Sequence, residues 1–248
     1  MADTLVTGGT GTLGRVLVER LREDGRPARV LSRRPGDGHV VGDLATGEGI
    51  DAAVRGCDVV VHCATGRKDV ETSARLVEAV RRNGSPHLVY VSIVGIDRIP
   101  FGYYRQKLAV ERLLADSGLP HTILRATQFH DLVVAMLGAL GRVPGVLAVP
   151  RGVAFQPVDV RDVAGRLAAL AAGPPAGRVA DLGGPEVRAF DDLARAWLAA
   201  DGRRRRVVTL PVPGRLAAAV RGGANLAPEH AAGRITFEQY LQAAGVGR

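Results

Sequence analysis

Lysine is almost missing from this chain. Of its 33 basic residues only Lys68 and Lys107 are lysines; the other 31 are arginines. Arginine is used here wherever any cation will serve. A retained lysine is therefore informative, because an ammonium is a compact point donor and a guanidinium a flat fork. Cysteine is equally scarce. Cys57 and Cys63 are too few for a disulfide framework and lack metal-ligand spacing, so no metal site is expected. No apolar run reaches the roughly 18 residues that a membrane-spanning helix needs. The opening MADTLVTGG lacks a basic segment followed by a long apolar one, so no signal peptide is expected. Reduced thiols and a cytoplasmic location follow as the simplest expectation. Aromatic residues make up 4% of the chain, and none is interleaved with the run RRRR at 203–206. That run leads into the apolar VVTL and reads as a solvated helix-to-strand connection, not a nucleic-acid contact.

What is present is a large apolar fraction, 46% of 248 residues, spread along the whole length. That is ample for one buried core, and a long disordered tail is excluded. A net charge of +8 favours small anionic ligands such as phosphates. Short apolar runs alternate with amphipathic stretches through residue 126. Strands are expected at 4–7, 28–32, 39–42, 58–63, 87–95 and 121–126. Helices are expected at 12–24, 49–56, 69–84 and 103–118. The strand-like runs are unbroken rather than alternating, as in a sheet covered on both faces. The alternation with helices implies an α/β fold, a doubly wound parallel sheet of Rossmann type. From about residue 127 the rhythm loosens. Helices are expected at 128–141, from about Asp159, at 188–202 and at 234–245, with short strands between 144 and 158. This portion reads as a small C-terminal substrate lobe interleaved with the sheet, so that residues 1–248 form a single domain without repeats or a long linker.

The most specific motif is TGGTGTLGR at 7–15. Gly8, Gly11 and Gly14 are spaced G-x-x-G-x-x-G between the first strand and the first helix. Glycine there permits a tight turn, close approach to a pyrophosphate, and tight helix-to-strand packing; the helix N-terminus offers free N–H groups. Gly8, Thr10, Gly11, Thr12, Leu13 and Gly14 are thus expected to cradle a dinucleotide. About 20 residues on, a carboxylate usually marks NAD. Here Ser32, Arg33 and Arg34 stand instead, and arginine forks suit a 2′-phosphate, so NADP(H) is expected. Asp43 and Leu44, in the GDL turn, are placed at the adenine edge. Cys63, Ala64 and Thr65, after the fourth strand, are placed beside the nicotinamide ribose. His62 reads as a packed strand-end histidine and Cys63 as a small buried filler. Asp159 and Asp162 read as helix-capping residues.

These motifs resemble the short-chain dehydrogenase/reductase superfamily, and its atypical NmrA-like, NAD(P)H-binding branch above all. The resemblance spans essentially the whole chain, including ILRATQFHD at 123–131, FQPVDVRDVA at 155–164 and GRITFEQYL at 233–241. It implies a catalytic set of Ser92, Tyr103 and Lys107, a serine ending the fifth strand and a Tyr-x-x-x-Lys pair opening the next helix. Residues four apart share a helix face. An ammonium beside a phenol, whose reference pKa is about 10, favours the phenolate. Lys107 is also expected to bind the nicotinamide ribose. Tyr104 is adjacent and competes with Tyr103 for the site. Gln128, Phe129 and His130 follow the sixth strand, at the carboxyl ends where ligands bind, and are expected to contact substrate. The expected activity is NADPH-dependent reduction of a small, fairly apolar carbonyl, quinone or enone. A non-catalytic NADP(H) sensor, or an epimerase using nicotinamide transiently, are the alternatives. Neither substrate identity nor oligomeric state is legible.

Overall fold

The computed structural model describes residues 3–141 and 145–245. In chain order the elements are β1 (Thr4–Thr7), α1 (Thr12–Glu23), β2 (Ala28–Ser32), β3 (His39–Val41), α2 (Ile50–Val54), β4 (Val59–His62), α3 (Asp69–Arg82), β5 (His87–Ile93), α4 (Gly102–Asp116), β6 (His121–Ala126) and α5 (His130–Leu140). Then come β7 (Val146–Pro150), β8 (Ala154–Phe155), α6 (Val160–Ala172), β9 (Gly177–Arg178), β10 (Arg188–Ala189), α7 (Phe190–Ala200), β11 (Arg206–Leu210), α8 (Arg215–Arg221) and α9 (Phe237–Ala243), with a short 3-10 turn at Pro228–His230.

The chain divides into two compact units. One comprises Met1–Ser92, Gly102–Arg125 and Val163–Ala180; the other comprises Ile93–Phe101, Ala126–Asp162 and Asp181–Arg248. The first is built on a seven-stranded sheet in the order β3-β2-β1-β4-β5-β6-β9. The pairings of β1 with β2 and β4, β2 with β3, β4 with β5 and β6 with β9 are parallel, with Val6 opposite Val30 on one side of β1 and Val61 on the other. Every residue of β1 and β4 is buried, which is why their sequences are unbroken apolar runs. The strand order reverses between β1 and β4, the crevice where such sheets bind nucleotides. Helix α1 buries Leu13, Leu17, Val18 and Leu21, a stripe at helical spacing. It stops where Gly25 turns with φ 70° and the Arg26 N–H returns to the Leu21 carbonyl at 2.9 Å. Leu5, Leu76, Leu88, Val110 and Leu114 form the centre of this unit's core, each fully buried. Each such side chain contributes on the order of 1.5–3 kcal/mol.

The second unit has its own core around Val133, Leu137, Leu147, Phe190, Leu193 and Phe237. Its strands form two small sheets, parallel β11–β7 and antiparallel β10–β8. The expected helix at 188–202 starts later, at Phe190, because Arg188 and Ala189 pair with Phe155 and Ala154. The expected helix at 234–245 shortens to α9. The N–H groups of Arg234 and Ile235 are held by the Asp162 carboxylate at 2.8 and 3.1 Å, and a capping box of Thr236 and Gln239 opens the helix. Asp162 thus anchors a distant segment in addition to opening α6, whereas Asp159 caps that helix through the Arg161 N–H at 2.8 Å. The arginine run ends in β11, a helix-to-strand connection as its sequence indicates. Pro144, where the first expected strand segment of this lobe opens, lies outside the described residues. No helix among the described residues is long and apolar enough to cross a membrane.

Candidate active site in the first unit

The glycine loop is shaped by backbone crowding. Gly8 sits at φ 68°, and a Cβ there would lie 2.6 Å from the Ala64 backbone nitrogen. A Cβ on Gly14 would run into the Gly8 carbonyl oxygen and lie 2.8 Å from the Gly9 Cα. Both positions therefore exclude every side chain. Gly11 is different: its Cβ would meet only the Gly8 oxygen, at 3.2 Å. Gly11 is the N-cap of α1 and no side chain caps the helix, so the first N–H groups are left for a ligand. Thr10, Gly11 and Thr12 are exposed while Leu13 and Gly14 are buried. A solvent-facing, uncapped, positive helix end that only glycine can build fits a pyrophosphate.

At the end of β2, Ser32 Oγ accepts the Arg34 N–H at 3.1 Å and closes the turn. The Arg33 and Arg34 side chains are exposed and neither guanidinium pairs with a carboxylate among the described residues. Two cations with no acid beside them fit a 2′-phosphate and offer nothing to hold a 2′-hydroxyl. Asp43 is half-buried, and one of its oxygens is engaged by the Ala45 N–H at 2.8 Å in the turn after β3. Leu44 packs on the core of this unit. Both therefore shape the turn, whatever they also contact.

Two of the expected catalytic residues, Tyr103 and Lys107, meet the segment that follows β4. Tyr103 and Lys107 lie on α4, Tyr103 half-buried and Lys107 buried. The Tyr103 hydroxyl is 2.8 Å from Thr65 Oγ1, and Thr65 in turn donates to Asp69 Oδ2 at 2.9 Å. The Lys107 ammonium lies 3.3 Å from the same Asp69 oxygen, and the other oxygen takes the Gly66 N–H. Lys107 also stands 5.0 Å from the Tyr90 ring centroid and 5.9 Å from that of Tyr103. Of the two neighbouring tyrosines, Tyr103 is the one joined to Thr65; the rings are 6.2 Å apart and tilted at 55°. Ser92, on β5, is buried, and its Oγ has no hydrogen-bond partner among the described residues.

The electrostatics differ from the expectation in one respect. Lys107 was to favour the Tyr103 phenolate. Burial instead pushes the phenol above its ordinary range; the Thr65 hydrogen bond opposes this and the Asp69 charge adds to it. The ammonium is paired with Asp69. Lys107 itself is pushed down by burial and held up by Asp69. Cys63, half-buried, has its thiol pushed up to about 12 by burial and is inert as a nucleophile. His62 is packed as expected, between Thr7 Oγ1 at 2.6 Å and Ser73 Oγ at 2.9 Å. Its ring stacks on Tyr90 at 5.5 Å, and burial, with Lys107 adding, pushes it down to about 3.

Gln128, Phe129 and His130 belong to the second unit. Gln128 donates to the Asn225 carbonyl at 3.2 Å and is buried. Phe129 is the N-cap of α5. His130 packs between Phe237 and Tyr240, with centroids 5.7 and 5.0 Å away, and Nε2 donates to the Ile235 carbonyl at 3.1 Å. Burial pushes its pKa down, so the ring is a neutral packing element. Two residues of the cluster were absent from the sequence-based set. Asp69 reads in sequence as an ordinary acid in the first turn of a helix. Tyr90 reads as a strand residue. The signal for Asp69 was its spacing of four from Thr65 in the stretch that follows β4.

A family model described as NAD(P)H-binding matches residues 8–135. The chain is 32% identical over 193 residues to a (4-alkanoyl-5-oxo-2,5-dihydrofuran-3-yl)methyl phosphate reductase of Streptomyces griseus, covering 73% of this chain and 68% of that protein. The structure of the NADPH-dependent quinone oxidoreductase QOR2 from Escherichia coli, complexed with NADPH, is similar with a TM-score of 0.81 at 18% identity, over 97% of this chain and 99% of that chain. A nucleoside-diphosphate-sugar epimerase from Staphylococcus aureus has a TM-score of 0.80 at 20% identity, with the same coverage of both chains. At such identities the two structures share the fold with this chain and carry no substrate to it.

Proposed function

The chain belongs to the NAD(P)H-binding family, and from that membership we propose that it is an NADPH-dependent oxidoreductase of the short-chain dehydrogenase/reductase type, reducing a small, fairly apolar carbonyl, quinone or enone. Bound nicotinamide would supply the hydride. Tyr103 gives its proton to the substrate oxygen, and the otherwise unpartnered Ser92 hydroxyl orients that oxygen. Lys107 holds the ribose. The observation that carries the reading is the state of Tyr103: a phenol kept protonated by burial and joined to a fixed hydrogen-bond chain. A proton donor must hold its proton until charge develops on the substrate, so this arrangement favours the reducing direction. Arg33 and Arg34 support NADPH over NADH. The free thiols of Cys57 and Cys63 are in keeping with a reducing, cytoplasmic setting.

The test is NADPH oxidation by purified protein against quinones, aldehydes, ketones and enones, run beside Tyr103→Phe. The expected result is turnover that falls by 10² or more in the variant while NADPH still binds, the span of general acid catalysis being roughly 10²–10⁴. Equal turnover in both proteins would remove Tyr103 from the chemistry. Tight NADPH binding with no turnover by the wild type would replace the reductase with a sensor. Product epimerised without net NADPH consumption would replace it with an epimerase.

A further inference from the structure

Asp69 is the centre of the cluster and has no part in the expected catalytic set. It is 3% exposed at its side chain, and Lys107 is 5% exposed. Two opposite charges removed from water to this degree are costly unless each is fully engaged. Asp69 is engaged by three donors: the Lys107 ammonium, the Thr65 hydroxyl and the Gly66 N–H. A carboxylate only accepts, so Thr65 spends its single hydrogen on Asp69. The Thr65 oxygen then presents lone pairs to Tyr103, and the Tyr103 hydroxyl must be the donor in the 2.8 Å contact. The place of the Tyr103 oxygen is thereby set by a carboxylate it never touches, while its hydrogen stays free to turn from Thr65 to a substrate oxygen.

We propose that Asp69 is a positioning residue: it fixes the Lys107 ammonium in place and, through Thr65, holds the hydroxyl oxygen of Tyr103 in place. The inference rests on the reductase reading for its consequence in turnover but not for its geometry. The groups that face Lys107 are Asp69 from α3, Tyr90 from β5, Cys63 and His62 from the end of β4, and Tyr103 and Glu111 from its own helix. Glu111 is occupied by Arg125 at 2.7 and 2.9 Å. Asp69 is therefore the only carboxylate in ion-pair contact with Lys107 among the described residues. Without its charge, burial acts on Lys107 with little opposition, and the ammonium gives up its proton at lower pH.

The two-lysine composition makes this directly readable. Protein labelled with ¹³C and ¹⁵N in lysine gives two side-chain signals, and Lys68→Arg assigns them. In the cofactor-free protein the expected result is that Asp69→Asn lowers the titration midpoint of Lys107 by about one pH unit or more, the effect of losing an adjacent opposite charge. An unchanged Lys107 midpoint in a variant that melts like wild type would overturn the proposal. Should Asp69→Asn fail to fold, Asp69→Ser reads the same coupling, and an unchanged Lys107 midpoint in it overturns the proposal. Thr65→Val separates the two roles. It leaves the Lys107 midpoint where it is and lowers kcat at saturating NADPH about tenfold or more, the low end of a general-acid contribution being about 10²; an unchanged kcat overturns the positioning of Tyr103. If the wild type turns over no substrate the reductase reading fails, and the lysine titration still decides the role of Asp69.

Discussion

Replacing the three loop glycines one at a time by alanine separates packing from ligand approach. In Gly14→Ala the new methyl group runs into the Gly8 carbonyl oxygen, 2.7 Å from the Gly8 carbonyl carbon and 2.8 Å from the Gly9 Cα. All three are backbone atoms, so no side chain can rotate aside and the turn between β1 and α1 must open. Overpacking against immovable backbone falls at the upper end of the usual range, about 3 kcal/mol. The gain from alanine inside a helix returns about 1 kcal/mol, leaving a net loss of about 2 kcal/mol. In a chain of this size that lowers Tm by about 4–8 °C. Opening the turn also moves the helix N–H groups, so NADPH binding weakens at least tenfold, about 1.4 kcal/mol. Gly11→Ala behaves otherwise. Its methyl group meets only the Gly8 oxygen at 3.2 Å, so stability changes by less than about 1 kcal/mol. The methyl occupies space that the pyrophosphate needs, and NADPH affinity falls by the same factor or more. Gly8→Ala adds a left-handed backbone to a clash with Ala64 and is the most damaging of the three. The assays are thermal melting followed by circular dichroism, and NADPH titration followed by fluorescence. A Gly14→Ala protein that melts and binds like wild type would refute the packing argument; a Gly11→Ala protein with wild-type affinity would refute the assignment of the phosphate to this turn.

Two further predictions concern charge. Arg33→Ser and Arg34→Ser each weaken NADPH binding about tenfold and leave NADH binding within twofold, since charge-assisted contacts to phosphate contribute about 1.5–3 kcal/mol when engaged; equal losses for both nucleotides would show that the arginines do not read the 2′-phosphate. His62, neutral in the fold down to about pH 3 against an ordinary 6.5, makes the unfolded chain bind more protons throughout that window. Its contribution is complete above about pH 6.5 and is lost as pH falls toward 3, at up to about 1.4 kcal/mol per pH unit. His62→Gln should flatten this slope in pH-dependent melting, and an identical slope in both proteins would refute the reading.

The parallel sheet was legible because the strands buried on both faces leave an unmistakable record. TLVT, ARVLS and HTILRA are β1, β2 and β6 to the residue. The two-residue β9, Gly177–Arg178, left none, since no periodicity fits in two positions and its place is set by pairing with Thr122 and Ile123. Helix α8 was missed for a related reason: it has no buried residue, and so no apolar stripe. At the site, the glycines and the Tyr-Lys spacing are local patterns and could be read along the chain. Asp69 could not, because its significance lies in a lysine 38 positions away in the sequence and 3.3 Å away in space. The same limit applied to the tuning of Tyr103: a lysine one turn along predicts a lowered phenol, and burial, which that spacing does not reveal, raises it.

The first unit takes its last segment, Val163–Ala180, from beyond a long stretch of chain that belongs to the second. β6 is complete at Ala126, yet its outer neighbour β9 begins only at Gly177. On a ribosome adding about 5–20 residues per second, the edge of β6 therefore stays bare for several seconds or more after it emerges. An exposed strand edge is a template for pairing with another chain. The interval between the synthesis of Ala126 and Arg178 is thus the time at which this protein is most open to misassembly, and slow translation there would lengthen the exposure of a nearly finished sheet.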